Sequence, residues 1–239
     1  DSLWNKMGFS QKLINKPSIA LGTSNASIYE LAIAYSAFSN GGYRIKPQSI
    51  ASIKTSDGKI IYNNKSLKLQ EKDRVIKENT TYFMTAMLQK AIIEGTGTSL
   101  KNKYNITMPL AGKTGTSQDY ADAWFAAYNP RLVIVTRVGA SIPAIRFTSG
   151  VNGAGSTLAL PLVAKTLKRF QTKYSEPFAQ LPEEIADAMD CEDFTDDSGF
   201  EKFFENLFKK DKTTLEKAQR RAERQAKRKQ RRTERQNKK

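Results

Sequence analysis

Residues 111–128 read Ala-Gly-Lys-Thr-Gly-Thr-Ser-Gln-Asp-Tyr-Ala-Asp-Ala-Trp-Phe-Ala-Ala-Tyr. Lys113-Thr114-Gly115-Thr116 sets a cation, two hydroxyls and a bare backbone position side by side. Aromatic and small residues follow at strand spacing. Three strand-like runs emerge, 110–117, 122–128 and 131–139, the last two separated by the tight turn Asn129-Pro130. Strict alternation sends Lys113 and the threonines to opposite faces, so the sequence does not say how all three reach one site. Gly115 is expected to clear a side chain from the strand edge where an extended peptide adds.

The flanking segments supply helices. Ser27-Ile28-Tyr29-Glu30 is a capping box. Ile28, Leu31, Ala32, Tyr35 and Phe38 follow at helical spacing, and Asn40-Gly41-Gly42 ends the run. Residues 43–54 and 59–62 are expected as strands around Thr55-Ser56-Asp57-Gly58. A second helix is marked by Phe83, Met84, Met87, Leu88 and Ala91. A Gly-rich loop at 150–155 leads into a third helix near Pro161, where a first turn tolerates proline. The order predicts an α+β fold, an antiparallel sheet with helices packed on it.

The chain has 239 residues and a formal net charge of +15. Residues 1–175 hold 23 Lys+Arg against 9 Asp+Glu, residues 176–205 hold 1 against 11, and residues 209–239 hold 15 against 4. The reading is a basic domain over 1–175, an acidic linker over 176–197, an amphipathic helix over 198–210 and a basic tail, helical or disordered, over 211–239. Phe200, Phe203, Phe204, Leu207 and Phe208 form the stripe of that helix.

There is no His and a single Cys, Cys191. A Ser-His-Asp or Cys-His mechanism within the chain is excluded, as is a zinc site of the usual ligands. No metal and no cofactor is called for. The apparent phosphate loop at Gly112-Lys113-Thr114 fails because residue 107 is Thr107. The acidic cluster at Asp190, Glu192, Asp193, Asp196 and Asp197 lacks the spacing of a calcium loop.

With these residues in hand, the chain resembles the C-terminal part of the transpeptidase domain of a class A, bifunctional penicillin-binding protein, a serine β-lactamase/transpeptidase-like fold. The likeness runs over roughly residues 1–170. It rests on 17–23 (Pro-Ser-Ile-Ala-Leu-Gly-Thr), Tyr29-Glu30-Leu31-Ala32, 40–47 (Asn-Gly-Gly-Tyr-Arg-Ile-Lys-Pro), Gly95-Thr96-Gly97, 111–116 and Asp122-Ala123-Trp124-Phe125. The lysine-threonine-glycine triad is shared with class A β-lactamases; the surrounding set is not.

The resemblance implies acyl transfer in peptidoglycan synthesis. A serine attacks the D-alanyl-D-alanine bond of a stem peptide, and an amine of a neighbouring stem takes the acyl group. It implies carboxypeptidase-type hydrolysis as a related activity, and a glycosyltransferase in the parent protein. Lys113 would place the substrate carboxylate, and the Thr116 backbone N–H would form half of the oxyanion hole. Thr114, Gly115, Thr116 and Ser117 would bind substrate.

The family's Ser-x-x-Lys and Ser-x-Asn are not matched. No Ser-x-Asn occurs, and the one Ser-x-x-Lys, Ser56-Asp57-Gly58-Lys59, falls in an expected hairpin turn. The chain is therefore expected to hold no nucleophile, to be an incomplete version of the fold, and to be inactive and loosely packed alone. Its expected partners are stem peptides and β-lactams through the full domain, with the basic tail meeting a membrane surface or anionic wall polymer. No nucleic acid partner is expected. The expected location is the outer face of the bacterial cytoplasmic membrane, anchored by a segment before Asp1. The alternative reading is a non-catalytic module that binds cell wall or another anionic polymer, nucleic acid included.

Overall fold

A computed structural model describes residues 2–13, 16–64, 69–142, 144–183 and 186. The backbone divides into two compact units, Asp1–Leu181 and Pro182–Lys239. In the second, Ala186 N–H donates to the Pro182 carbonyl at 2.9 Å. The stripe from Phe200 to Phe208 and the basic tail lie outside the described residues.

The first unit runs α1 (Ser2–Met7), α2 (Ile28–Ser39), β1 (Ser52–Lys54), β2 (Ile60–Asn63), α3 (Glu78–Ile93), α4 (Ser99–Asn102), β3 (Ala111–Thr116), β4 (Asp122–Asn129), β5 (Leu132–Gly139), α5 (Gly150–Gly153) and α6 (Ala159–Tyr174). β1 and β2 form an exposed hairpin. β3, β4 and β5 form an antiparallel meander in that order. The α+β architecture is the expected one.

Helix α2 begins where its caps dictate. Ser27 Oγ accepts the Glu30 amide at 3.1 Å while Glu30 Oε2 accepts the Ser27 amide at 2.8 Å. This satisfies two of the backbone donors that a helix start leaves over. The other carboxylate oxygen, Oε1, accepts the amide and hydroxyl of Ser10 at 2.8 and 2.6 Å. At the far end Gly41 and Gly42 take positive φ of 77° and 99°. The Gly42 amide reaches back to the Ala37 carbonyl at 2.7 Å, closing a Schellman motif.

Side chains on the meander alternate between two cores. On one face Ala111 and Tyr128 pack with Tyr35 and Phe38 of α2 and Met84 and Leu88 of α3. On the other, Phe125 and Ala127 pack with Leu160, Val163, Ala164 and Leu167 of α6 and Leu100 of α4. Phe125, Leu160, Val163 and Leu167 are fully buried, each contributing about 1.5–3 kcal/mol by leaving water. The sheet is a middle layer, with α2 and α3 above and α6 below.

Asn129 binds three elements together. Its side-chain Oδ1 accepts the amides of Arg131 and Leu132, both at 2.9 Å, and so builds the two-residue turn. Its Nδ2 donates to the Tyr174 carbonyl at the end of α6, at 2.7 Å.

Three expectations change. Residues 43–51 are not strand; Tyr43 makes one isolated bridge to Arg74 before the chain turns away. An extended segment without a neighbour has no ladder to join, and Pro47 has no amide to offer one. The Gly-rich loop contains a single helical turn, α5. The domain also continues past 175. Glu176 pairs with Arg131 at 3.5 Å, and Phe178 stands edge-on to Tyr128 with ring centroids 5.9 Å apart.

Candidate active site

The candidate site is the outer edge of β3. No strand pairs with that edge among the described residues. The Ser117 amide donates to the Asp122 carbonyl at 2.9 Å just beyond the ladder, which fixes the ladder's parity. Bonded and non-bonded pairs alternate along an antiparallel pair. Lys113 and Gly115, opposite Ala126 and Trp124, therefore give their backbone groups to β4. Gly112, Thr114 and Thr116 turn theirs outward.

Lys113 resolves the alternation problem by length. Its stem leaves on the α2/α3 face, and its ammonium curls back to the Thr114 carbonyl on the open edge, at 3.0 Å. The cation and the Thr116 N–H therefore occupy the same edge.

The two threonine hydroxyls sit on the α6 face. Thr114 Oγ1 lies 2.6 Å from Thr96 Oγ1. Thr116 Oγ1 accepts the Gly155 amide at 3.1 Å. Because that oxygen accepts here, its proton remains free to donate to a ligand. Ser117 Oγ accepts the Asp122 amide at 2.7 Å and closes the β3–β4 loop.

Gly115 is also packed closely on both of its faces. A Cβ there would stand 3.1 Å from Trp124 Cβ. On the other side, Gly155 presses its own backbone against the same residue. A Cβ on Gly155 would come within 2.5 Å of the Gly115 carbonyl oxygen and 2.3 Å of the Trp124 carbonyl oxygen.

The loop after β3 holds unusual backbone. Asp119 and Tyr120 both take positive φ, 56° and 57°. Such conformations persist only where surroundings enforce them. Arg146 binds Asp119 at 2.8 Å, and Gly150 and Gly153 leave room for the Tyr120 ring. This clamp fixes the segment that delivers Gly155 to Thr116.

Sequence reasoning placed Lys113, Thr114, Gly115, Thr116 and Ser117 on one strand and its following turn, and the structure puts them there. It missed the roles of Thr96 and Gly155, although Gly95-Thr96-Gly97 and the loop 150–155 were both visible. Ser56 lies in the exposed β1–β2 turn, closed by the Thr55 amide on the Lys59 carbonyl at 2.9 Å. It is in the other sheet.

Residues 5–140 match the family profile described as the penicillin binding protein transpeptidase domain, more than half of the chain. The chain belongs to that family. Among curated relatives, penicillin-binding protein 1A of Pseudomonas aeruginosa is 31% identical over 207 residues, covering 66% of this chain and 24% of that protein. Penicillin-binding protein 1A of Neisseria cinerea is 35% identical over 148 residues, covering 61% and 18%. The chain thus spans a quarter or less of the length of these penicillin-binding relatives.

The crystal structure of penicillin-binding protein 1A from Haemophilus influenzae superposes with a TM-score of 0.61 at 21% identity, covering 74% of this chain and 31% of that one. The penicillin-binding protein PonA1 from Mycobacterium tuberculosis gives 0.61 at 18% identity, with 74% and 50% coverage. Both likenesses establish the transpeptidase fold. No helix among the described residues is long and apolar enough to cross a membrane.

Proposed function

We propose that this chain forms one wall of a D,D-transpeptidase active site that cross-links stem peptides in peptidoglycan synthesis. The observation that carries the reading is the shared edge: the Lys113 ammonium and the outward Thr116 N–H stand on one strand edge that is unpaired among the described residues. A stem peptide's terminal carboxylate would meet Lys113 and the Thr116 hydroxyl proton. Its scissile carbonyl oxygen would point at the Thr116 N–H.

When a serine attacks that carbonyl, negative charge gathers on the oxygen. A preorganised N–H at that point is worth about 2.7–4 kcal/mol of transition-state stabilisation. The serine, its partner lysine and the Ser-x-Asn would come from outside these 239 residues. The relatives' length supports a larger parent, which would sit at the cell envelope with a glycosyltransferase beside this domain. β-Lactams would occupy the same edge.

Titration of the labelled chain with a peptide ending in D-alanyl-D-alanine tests the reading. The Thr116 and Lys113 amide resonances should move together, and Lys113→Ala should remove the shifts. The chain alone should not be labelled covalently by a fluorescent penicillin. Labelling that disappears with Ser56→Ala would overturn the assignment of the nucleophile to another segment.

A further inference from the structure

Charge on the lower half of the domain has one sign. From Gly95 to Ser175 the sequence holds two acids, Asp119 and Asp122. Each is already paired with an arginine, Arg146 and Arg137. Apart from Lys113 on β3 and Arg131, which pairs with Glu176, the remaining cations gather on α4 and α6. Lys101 and Lys103 are exposed at and just after α4. Lys165, Lys168, Arg169 and Lys173 are exposed on α6. Among the described residues no carboxylate pairs with any of these six.

The pattern along α6 is ordered. Its inner face is fully buried, which fixes the helix's rotation. Lys165, Arg169 and Lys173 recur every fourth residue, spaced about 6 Å along the axis. Leu162, Thr166 and Phe170 form a parallel stripe beside them. Leu162 is 47% exposed and Phe170 42%. The Phe170 ring also meets that of Tyr174, with centroids 6.0 Å apart.

The surface also leads somewhere. Thr96 touches Thr114 at the candidate site. Five residues later the chain reaches Lys101 in α4, and α4 packs against α6. The α4 cations therefore follow a few residues after the contact on the α6 face of β3 and lie beside those of α6.

We propose that the outer face of α6, with α4 beside it, docks an uncross-linked peptidoglycan strand through its free carboxylates. The proposal rests on the transpeptidase reading above. Carboxylates recurring along a polymer suit a row of lysines and arginines, and the apolar faces of sugar rings suit Leu162 and Phe170. Docking of this kind raises the local concentration of stem peptides at the β3 edge.

Co-sedimentation of the full chain with insoluble peptidoglycan provides the test. The variant carries Lys165→Glu, Lys168→Glu, Arg169→Glu and Lys173→Glu together. All four are exposed, so its melting temperature should stay near the parent's. A second variant with glutamine at these positions removes charge without adding acid. The glutamate variant should bind about tenfold more weakly at low salt, with the glutamine variant between, and high salt should narrow the gap.

Amidating the peptidoglycan carboxylates should weaken the parent to the variant's level. Reversing Arg220, Arg221, Arg224 and Lys227 in the tail instead should leave the α6-dependent difference intact. Parent-like binding by both α6 variants overturns the proposal, as does indifference to amidation. A larger loss toward anionic lipid vesicles or DNA than toward peptidoglycan also overturns it. The D-alanyl-D-alanine titration separates the two readings, because the α6 variants should keep the Thr116 and Lys113 shifts while losing peptidoglycan binding. Parent-like sedimentation of the α6 variants alongside intact shifts overturns the docking surface and spares the β3 site.

Discussion

The Gly155 amide donates to the Thr116 hydroxyl, and Gly155 stands where even a methyl group would strike two backbone carbonyl oxygens. The two residues are 39 positions apart. The contact orients the threonine that the transpeptidase reading needs. Gly155→Ala should destabilise the domain by about 1–3 kcal/mol, toward the upper end because backbone must move. Urea unfolding measures this. The same variant should weaken the D-alanyl-D-alanine shift at Thr116 more than at Lys113.

Gly41 and Gly42 make a paired comparison. Both take positive φ, but a Cβ at Gly41 meets open space, while one at Gly42 would lie 2.0 Å from the Ile76 carbonyl oxygen. Gly41→Ala should cost about 1–2 kcal/mol for backbone conformation alone. Gly42→Ala adds the collision and should cost about 3 kcal/mol or more. Equal losses in chemical unfolding would show that conformation, not contact, governs the site.

Tyr128 is fully buried, and its hydroxyl meets Thr85 Oγ1 at 2.9 Å. Burial pushes its phenol well above the ordinary range, with Thr85 opposing, so the phenol stays neutral. Tyr128→Phe should cost about 1–3 kcal/mol by leaving Thr85 unsatisfied. Adding Thr85→Val should recover part of the loss. A double-mutant cycle with no coupling would contradict the hydrogen bond.

Acid should loosen the start of α2. The Ser10 hydroxyl, then the amides of Ser27 and Ser10, hold the Glu30 carboxyl down at about 2, against an ordinary 4.5. A depressed carboxyl contributes stability above its unfolded pKa and loses it as pH falls through its folded one. The contribution should therefore be complete above pH 4.5 and fade toward pH 2. Melting temperature followed across that window should fall more for the parent than for Glu30→Gln.

Local chemistry was legible in the sequence; contact between distant segments was not. The Ser27 capping box, the Asn40-Gly41-Gly42 stop and the Asn129-Pro130 turn each act within a few residues, so their spacing announces them. Lys113 to Thr116 reads as strand from its neighbours alone. Residues 43–51 misled because extended pattern says nothing of whether a partner strand arrives. The close packing of Gly115 was hidden because Trp124 and Gly155, which fill its two sides, meet it only in the folded chain. Lys113 was ambiguous because a long side chain escapes the alternation that short ones obey.

The three bonds of Asn129 have a consequence for how the domain opens. The turn amides of Arg131 and Leu132 depend on an oxygen whose partner nitrogen is committed to the last residue of α6. Fraying of that helix end releases the amide group, and the hairpin turn loses its template. Hydrogen exchange at Arg131 and Leu132 should thus track the lifting of Tyr174 rather than the local breathing of a two-residue loop. One small side chain thus ties a two-residue turn to a helix end 45 residues away.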